Sequence, residues 1–356
     1  MNDGCAGVVG SVVVKTEAAD VEALRHHGDA ETGPGLLDFA VNVQGTRPPE
    51  WLKRRLVSSL DGLGSYPSVA ANLRARETVA ARHGRSPEEV LLLSGGAEGF
   101  AMLPRLEPSL AALIHPSFTE PEWMLREAGV PIVRVILGHP YRLDVEIPDT
   151  ADLVVVGNPT NPTSVLHSAE DIHRLRRPGR IVVVDEAFAD AIPEEVESLA
   201  GESLRDVVVL RSLTKTWALA GLRCGYALGH PDVLARLRRG RAHWPLGSLQ
   251  VEAITACCET FAVDLAREKA DRIGVLRRSM IERFDSIGVS VHTPAAAPFL
   301  LLNVPDGNAV RDELRSRGIA VRRGDTFPGL SSDHLRVAVR EPTETDMLVD
   351  ALKEIL

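Results

Sequence analysis

Lysine is nearly absent from this sequence: of 40 basic residues in 356, five are lysines, at positions 15, 53, 215, 269 and 353. The remaining positive charge is dispersed arginine, and a formal net charge of −9 leaves no basic face for a nucleic acid. The densest basic run, Arg236-Leu237-Arg238-Arg239-Gly240-Arg241, reads as a solvated helix end near the active edge. Cysteine is scarce too. The four present (5, 224, 257 and 258) lack the CxxC spacing of a zinc site. Adjacent Cys257 and Cys258 are poorly placed to bridge each other, which points to a reducing compartment. No apolar run reaches membrane-spanning length, and Val8 to Val14 carries Asp3 before it and Lys15 after it, the reverse of a secretory signal. A cytoplasmic protein is expected. There is no internal repeat, no low-complexity tract and no GxGxxG fingerprint of a dinucleotide site.

What is present gathers around one of the rare lysines. Lys215 lies in Ser212-Leu213-Thr214-Lys215-Thr216-Trp217, with Arg223 shortly after. A lysine can hold an aldehyde as an imine only once its amine has lost a proton, which nearby cations and a desolvating site promote. The hydroxyls of Ser212 and Thr214 and the Arg223 guanidinium can grip a phosphate dianion. In isolation such a tetrad is most often an exposed lysine in a polar loop.

Four further motifs shift that balance. The apolar run Val90 to Leu93 meets Ser94-Gly95-Gly96-Ala97-Glu98, where a glycine turn into a helix offers backbone N–H groups to a phosphate; alone, such a turn is usually only a turn. Asp152 to Gly157 runs as a buried-type strand into Asn158-Pro159-Thr160-Asn161-Pro162-Thr163, and Asn161 can donate to an oxygen on a bound ring. Arg180 to Val184 ends at Asp185, on the edge where open α/β sheets place their ligands. There a carboxylate can keep a pyridine nitrogen protonated, although an isolated aspartate at a strand end is more often a helix cap or a metal ligand. Finally, His334 to Arg340 alternates as a strand should; Arg336 is the carboxylate partner, and Arg340 is read as a surface arginine.

Together these motifs resemble fold-type I pyridoxal-phosphate enzymes, the class I/II aminotransferase superfamily, from about residue 27 to the C-terminus. The resemblance implies an α/β fold, with a large domain on a mostly parallel seven-stranded sheet flanked by helices and a smaller α+β C-terminal domain. It implies pyridoxal phosphate on Lys215, with Asp185 at the pyridine nitrogen and Asn161 at the phenolate. Gly96, Ala97, Glu98, Ser212, Thr214 and Arg223 fall around the phosphate, Phe118 stacks on the ring, and Arg336 takes a substrate carboxylate. Tyr66, in Ser65-Tyr66-Pro67, matches a tyrosine that reaches the cofactor phosphate from a partner subunit, so a homodimer is implied.

Phrases such as Pro116-Ser117-Phe118-Thr119-Glu120 and Gly318-Ile319-Ala320-Val321-Arg322-Arg323 lean toward the threonine-phosphate decarboxylase branch, with histidinol-phosphate aminotransferase beside it. Both imply a phosphorylated amino acid or amine as substrate. Arg322, Asn42 and His27 are the candidates for its phosphate, Arg322 foremost. Decarboxylation stands ahead of amino transfer; a non-catalytic cofactor-binding module would want an appended DNA-binding domain or a lost lysine, and a phosphate-binding protein using the glycine turn would leave Lys215, Asp185 and Asn161 without a role. Three departures touch substrate choice: Phe188 where a tyrosine is usual, Ser164 where glycine is usual, and Gln44-Gly45 in place of an Asn-Pro turn.

At 356 residues and 44% hydrophobic, the chain exceeds the usual single-domain range. An extension over 1–25, an arm over 26–50, a large domain over 51–245 and a small domain over 246–356 are expected, the last entered by a long helix from about Gly247.

Overall fold

The computed structural model describes residues 18–356, and its centre is a seven-stranded sheet. Its strands lie in the order Val90–Leu93, Gly225–Gly229, Val207–Ser212, Ile181–Asp185, Leu153–Gly157, Ala111–His115 and Ile132–Ile136. Only Gly225–Gly229 runs antiparallel to its neighbours. The valine-rich central strands are apolar on both faces because helices cover both. Alternation then sorts the side chains: Val154, Val156, Val182, Val184, Val207 and Val209 enter one core with Leu52, Val79 and Ile254. Leu153, Val155, Val183, Val208 and Leu210 enter the other, with Phe100, Met102 and Leu125.

A second, antiparallel sheet carries Arg322–Arg323, His334–Ala338, Phe299–Asn303 and Ser290–Val291, in that order. Its core draws Met280 and Phe284 from the helix Thr260–Ser286, Leu314 from Gly307–Ser316, and Leu348 and Leu352 from Pro342–Ile355. Phe39, from the arm, is fully buried in the same core, and Leu37–Asp38 pairs in parallel with Ile319–Ala320.

Two expectations change. The long helix from Gly247 is two helices, Ser248–Cys258 and Thr260–Ser286, with Glu259 extended between them at ψ 149°. There its carboxylate takes a forked pair of hydrogen bonds from Arg55, at 2.8 and 3.0 Å, which fixes the break. The fold also begins before residue 26. Ala18–Ala23 is helical, Leu24 is fully buried, and the Leu24 carbonyl accepts a 2.6 Å bond from Thr119. The apolar run Val8 to Val14, Cys5 and Lys15 lie outside the described residues. Among the described residues no helix is long and apolar enough to cross a membrane, and no cluster of His, Cys, Asp or Glu could hold a metal ion.

Candidate active site

Asp185 closes its strand and Lys215 follows three residues after Ser212 closes the next, so the sheet's carboxyl edge brings acid and amine to one place. They line a cavity of about 580 Å³ together with Gly96, Ala97, Phe118, Asn161, Ser212, Thr214, Arg223 and Arg336. His27 and Asn42 reach the same cavity from the arm. The sequence spaces these residues over more than three hundred positions, and the topology gathers them.

The electrostatics of acid and amine move in opposite directions. Burial, with Arg336 and Arg223 close by, pushes the Lys215 amine down to about 8 against the pull of Asp185. Burial pushes Asp185 up to about 6, opposed by the Ala187 N–H at 3.1 Å and by Lys215. A lysine held this way has far more free amine near neutrality than an exposed one, as carbonyl chemistry requires. Asp185 stays largely ionised above pH 7.

The anion end of the cavity is shaped by Gly95. Its φ is +78°, and a Cβ there would sit 2.8 Å from Arg223 Nη2, so the glycine is the space into which the guanidinium fits. Arg223 itself adopts φ +61°. The Ser212 and Thr214 hydroxyls lie 2.8 Å apart beside it. With the first-turn amides of Gly96 and Ala97, this donor set fits the phosphate of pyridoxal phosphate, and Lys215 and Asp185 fit its aldehyde and its ring nitrogen.

Arg336 is fixed from two sides. Nη1 donates to Asn161 Oδ1 at 2.6 Å, Nη2 donates to the Ala40 carbonyl, and Nε is buried without a partner. Burial, reinforced by Arg322 and Arg340, lowers its pKa to about 9, still cationic at neutral pH. A buried cationic donor with a spare N–H is prepared for an anion. Its guanidinium lies 5.6 Å from the Phe299 ring centre, and Phe299 packs edge-on at 4.9 Å against Phe188, so the residue that replaces the usual tyrosine serves as apolar wall.

The other departures are also built in. Ser164 holds φ +64° without being glycine; its Oγ accepts from the Ala297 N–H at 2.8 Å and its carbonyl from Ala296 at 2.8 Å. Gln44 donates its backbone N–H to the Lys215 carbonyl at 2.9 Å, docking the arm beside the lysine.

Three expected placements are corrected. Glu98 does not line the cavity: its carboxylate is held by Arg241, at 2.7 and 2.8 Å, and by the Ser94 N–H. Its own N–H closes the turn onto the Gly95 carbonyl. Arg322 is buried away from the cavity, its guanidinium consumed by the His26 and Arg323 carbonyls and Thr326 Oγ1 and packed on Phe327 at 4.6 Å. Arg340 is not a surface arginine but donates to the carbonyls of Asp38, Val41 and Val43, tying down the arm. Tyr66, expected to act across a subunit boundary, does not line its own chain's cavity; it is 73% exposed and stacked on Trp244 at 4.3 Å.

Residues that sequence reasoning missed also line the cavity: Arg25, Asp29, Glu120, Trp123 and Met124. Glu120, Trp123 and Met124 share one face of the helix Glu120–Glu127, a spacing legible in the sequence. Arg25 carried no such signal, lying in the stretch read as an extension. His27 bonds Glu120 at 3.1 Å and sits 5.3 Å from the Phe118 ring.

A family model described as "Aminotransferase class I and II" matches residues 34–352. A histidinol-phosphate aminotransferase of Mycobacterium tuberculosis (strain ATCC 25618 / H37Rv) is 56% identical over 343 residues, 96% of this chain and 93% of that one. A threonine-phosphate decarboxylase of Salmonella typhimurium (strain LT2) is 29% identical over 344 residues, 90% of this chain and 91% of its own. Among solved structures, the histidinol-phosphate aminotransferase from Clostridium acetobutylicum superposes with a TM-score of 0.82 at 24% identity, covering 90% of this chain and 99% of that one, a likeness of fold.

Proposed function

The chain belongs to the class I and II aminotransferases, pyridoxal-phosphate-dependent enzymes, and from that premise we propose that it transfers the amino group of histidinol phosphate to 2-oxoglutarate. Support comes from the 56% identity, across 96% of the chain, to a relative named for that activity. The decarboxylating alternative, placed first on sequence phrases, gives way to it, because the threonine-phosphate decarboxylase stands at 29%.

Bound pyridoxal phosphate supplies an electron sink for the bond that breaks at the substrate Cα. Lys215 Nζ, with a pKa near 8, is matched to removing a Cα proton and returning it at neutral pH. Asp185 holds the ring nitrogen in its protonated form. Asn161 keeps its amide N–H groups for an oxygen on the ring, because its own oxygen is engaged by Arg336. Arg336 Nε is the spare donor for the α-carboxylate of glutamate. Phe118, Phe188 and Phe299 keep this region apolar, which strengthens the charge pairs inside it.

We also infer a homodimer. Tyr66 and Trp244 stack in the open, and Leu60, Leu63 and Val69 are exposed in the same stretch of chain as Tyr66. Large apolar side chains so displayed mark a surface that another protein covers. Tyr66, carried into the partner's cavity, would supply the cross-subunit phosphate contact.

The test is to supply the holoenzyme with histidinol phosphate plus 2-oxoglutarate and, separately, with L-threonine O-3-phosphate alone. Glutamate from the first supports the proposal; carbon dioxide from the second without glutamate from the first overturns it in favour of decarboxylation.

A further inference from the structure

Three guanidinium groups line the cavity, those of Arg223, Arg336 and Arg25. Arg223 lies against Gly95 at the end that fits the cofactor phosphate, and Arg336, tied to Asn161 and Ala40, has an Nε–H without a partner. A phosphorylated amine brings one more dianion, at the end remote from its amine. Arg322, the sequence's first candidate for it, has its guanidinium taken by protein acceptors and does not reach the cavity.

Arg25 is differently placed. Its guanidinium lies 5.0 Å over the Trp123 ring, and among the described residues it has no carboxylate partner. Stacking occupies the face of the guanidinium and leaves its in-plane N–H donors open, the edge that recognises a phosphate. The side chain is exposed, yet the backbone on both sides is pinned. The Leu24 carbonyl is held by Thr119 at 2.6 Å, the His26 carbonyl by Arg322 at 2.6 Å, and His27 by Glu120 at 3.1 Å. Buried Arg322 is thus a positioning residue for the segment that carries Arg25. Besides Asp185, two carboxylates line the cavity: Glu120 is met by His27, and Asp29 is exposed to solvent.

We propose that Arg25 holds the terminal phosphate of the substrate, which makes segment 24–29 the specificity element of the site. This rests on the substrate class proposed above.

The experiment compares wild type, Arg25→Ala and Arg25→Lys holoenzymes, each checked for its visible cofactor band, with histidinol phosphate and with histidinol as amino donors to 2-oxoglutarate. The readouts are kcat/KM for each amine and the amine concentration at half-change of the cofactor band without acceptor. Arg25→Ala should lower the phosphorylated-to-unphosphorylated ratio by roughly 10- to 100-fold, chiefly through KM, as for one charged hydrogen-bonding partner. Arg25→Lys should lie between, keeping the charge but losing the planar fork. A wild type that prefers the phosphorylated amine, with that preference intact in Arg25→Ala, overturns the assignment of Arg25 alone. A wild type with no such preference overturns the substrate class, and the assignment with it.

Discussion

Asn161 Oδ1 accepts a 2.6 Å hydrogen bond from Arg336 Nη1, joining a loop of the large sheet to a strand of the small one. The pair leaves the Asn161 amide N–H groups for the proposed ring-oxygen contact and the Arg336 Nε, which has no partner, for the proposed carboxylate. Arg336→Ala should therefore lower kcat/KM for glutamate by about 1.5–3 kcal/mol, roughly 10- to 100-fold. Histidinol phosphate, which has no carboxylate, should lose less in its own half-reaction. Single-turnover measurement of both halves decides the matter; equal losses would mean that Arg336 acts only through Asn161.

Lys215 has its pKa lowered from 10.5 to about 8, so its amine is mostly free above pH 8 instead of above 10.5. Cofactor uptake by the apoenzyme should rise with pH through a midpoint near 8 and level above about pH 9, followed by the growth of visible absorbance. Arg336→Ala removes one of the cations that depress this pKa and should move the midpoint upward. Lys215→Ala should show no such band at any pH.

The role proposed for Asp185 is at the ring nitrogen and not at the aldehyde. Asp185→Asn should retain the visible band while turnover falls on the order of 100-fold, ~2.7 kcal/mol in the barrier. Unchanged turnover would place the nitrogen's partner elsewhere.

Ser164 combines a left-handed backbone with a hydroxyl that anchors the Ala297 N–H. Ser164→Ala keeps the strain and loses the bond, so urea unfolding should show a loss of about 1–2 kcal/mol. Ser164→Gly loses the same bond but relieves the backbone, and should cost about 1 kcal/mol less.

Among the described residues Val69 is the most exposed large apolar side chain, at 86%, close to Tyr66 in the chain. Val69→Asp should shift the light-scattering mass toward the monomer and weaken cofactor retention with it. A mass that stays dimeric would place the interface on another face.

The parts of the site written contiguously were legible. Lys215 with its hydroxyl neighbours, Asp185 at the end of a valine run, and Asn161 between two prolines each announce a strand edge and a chemistry within a few residues. The sheet itself was legible for the same reason, since buried parallel strands are near-continuous apolar runs. Competition among arginines was not. Arg322 and Arg336 face each other across paired strands, yet only Arg336 meets the cavity, because the His26 carbonyl and Thr326 capture Arg322. That outcome depends on where a distant arm docks, which local spacing does not encode. Arg25 went unread because it precedes the stretch that carries the resemblance, and the docking of Leu24 that anchors it is made by a distant residue, Thr119.

The arm also sets an order of events. Leu37–Asp38 is synthesised early but pairs with Ile319–Ala320, and Arg340 then clamps the carbonyls of Asp38, Val41 and Val43. On the ribosome the large sheet can assemble as its strands emerge, while the arm must wait for almost the last segment to be made. Until then Lys215 stands on a finished sheet with one wall of its cavity missing. Capture of an aldehyde cofactor thus marks a completed chain, and a product truncated before Ile319 should carry the lysine and still emerge colourless.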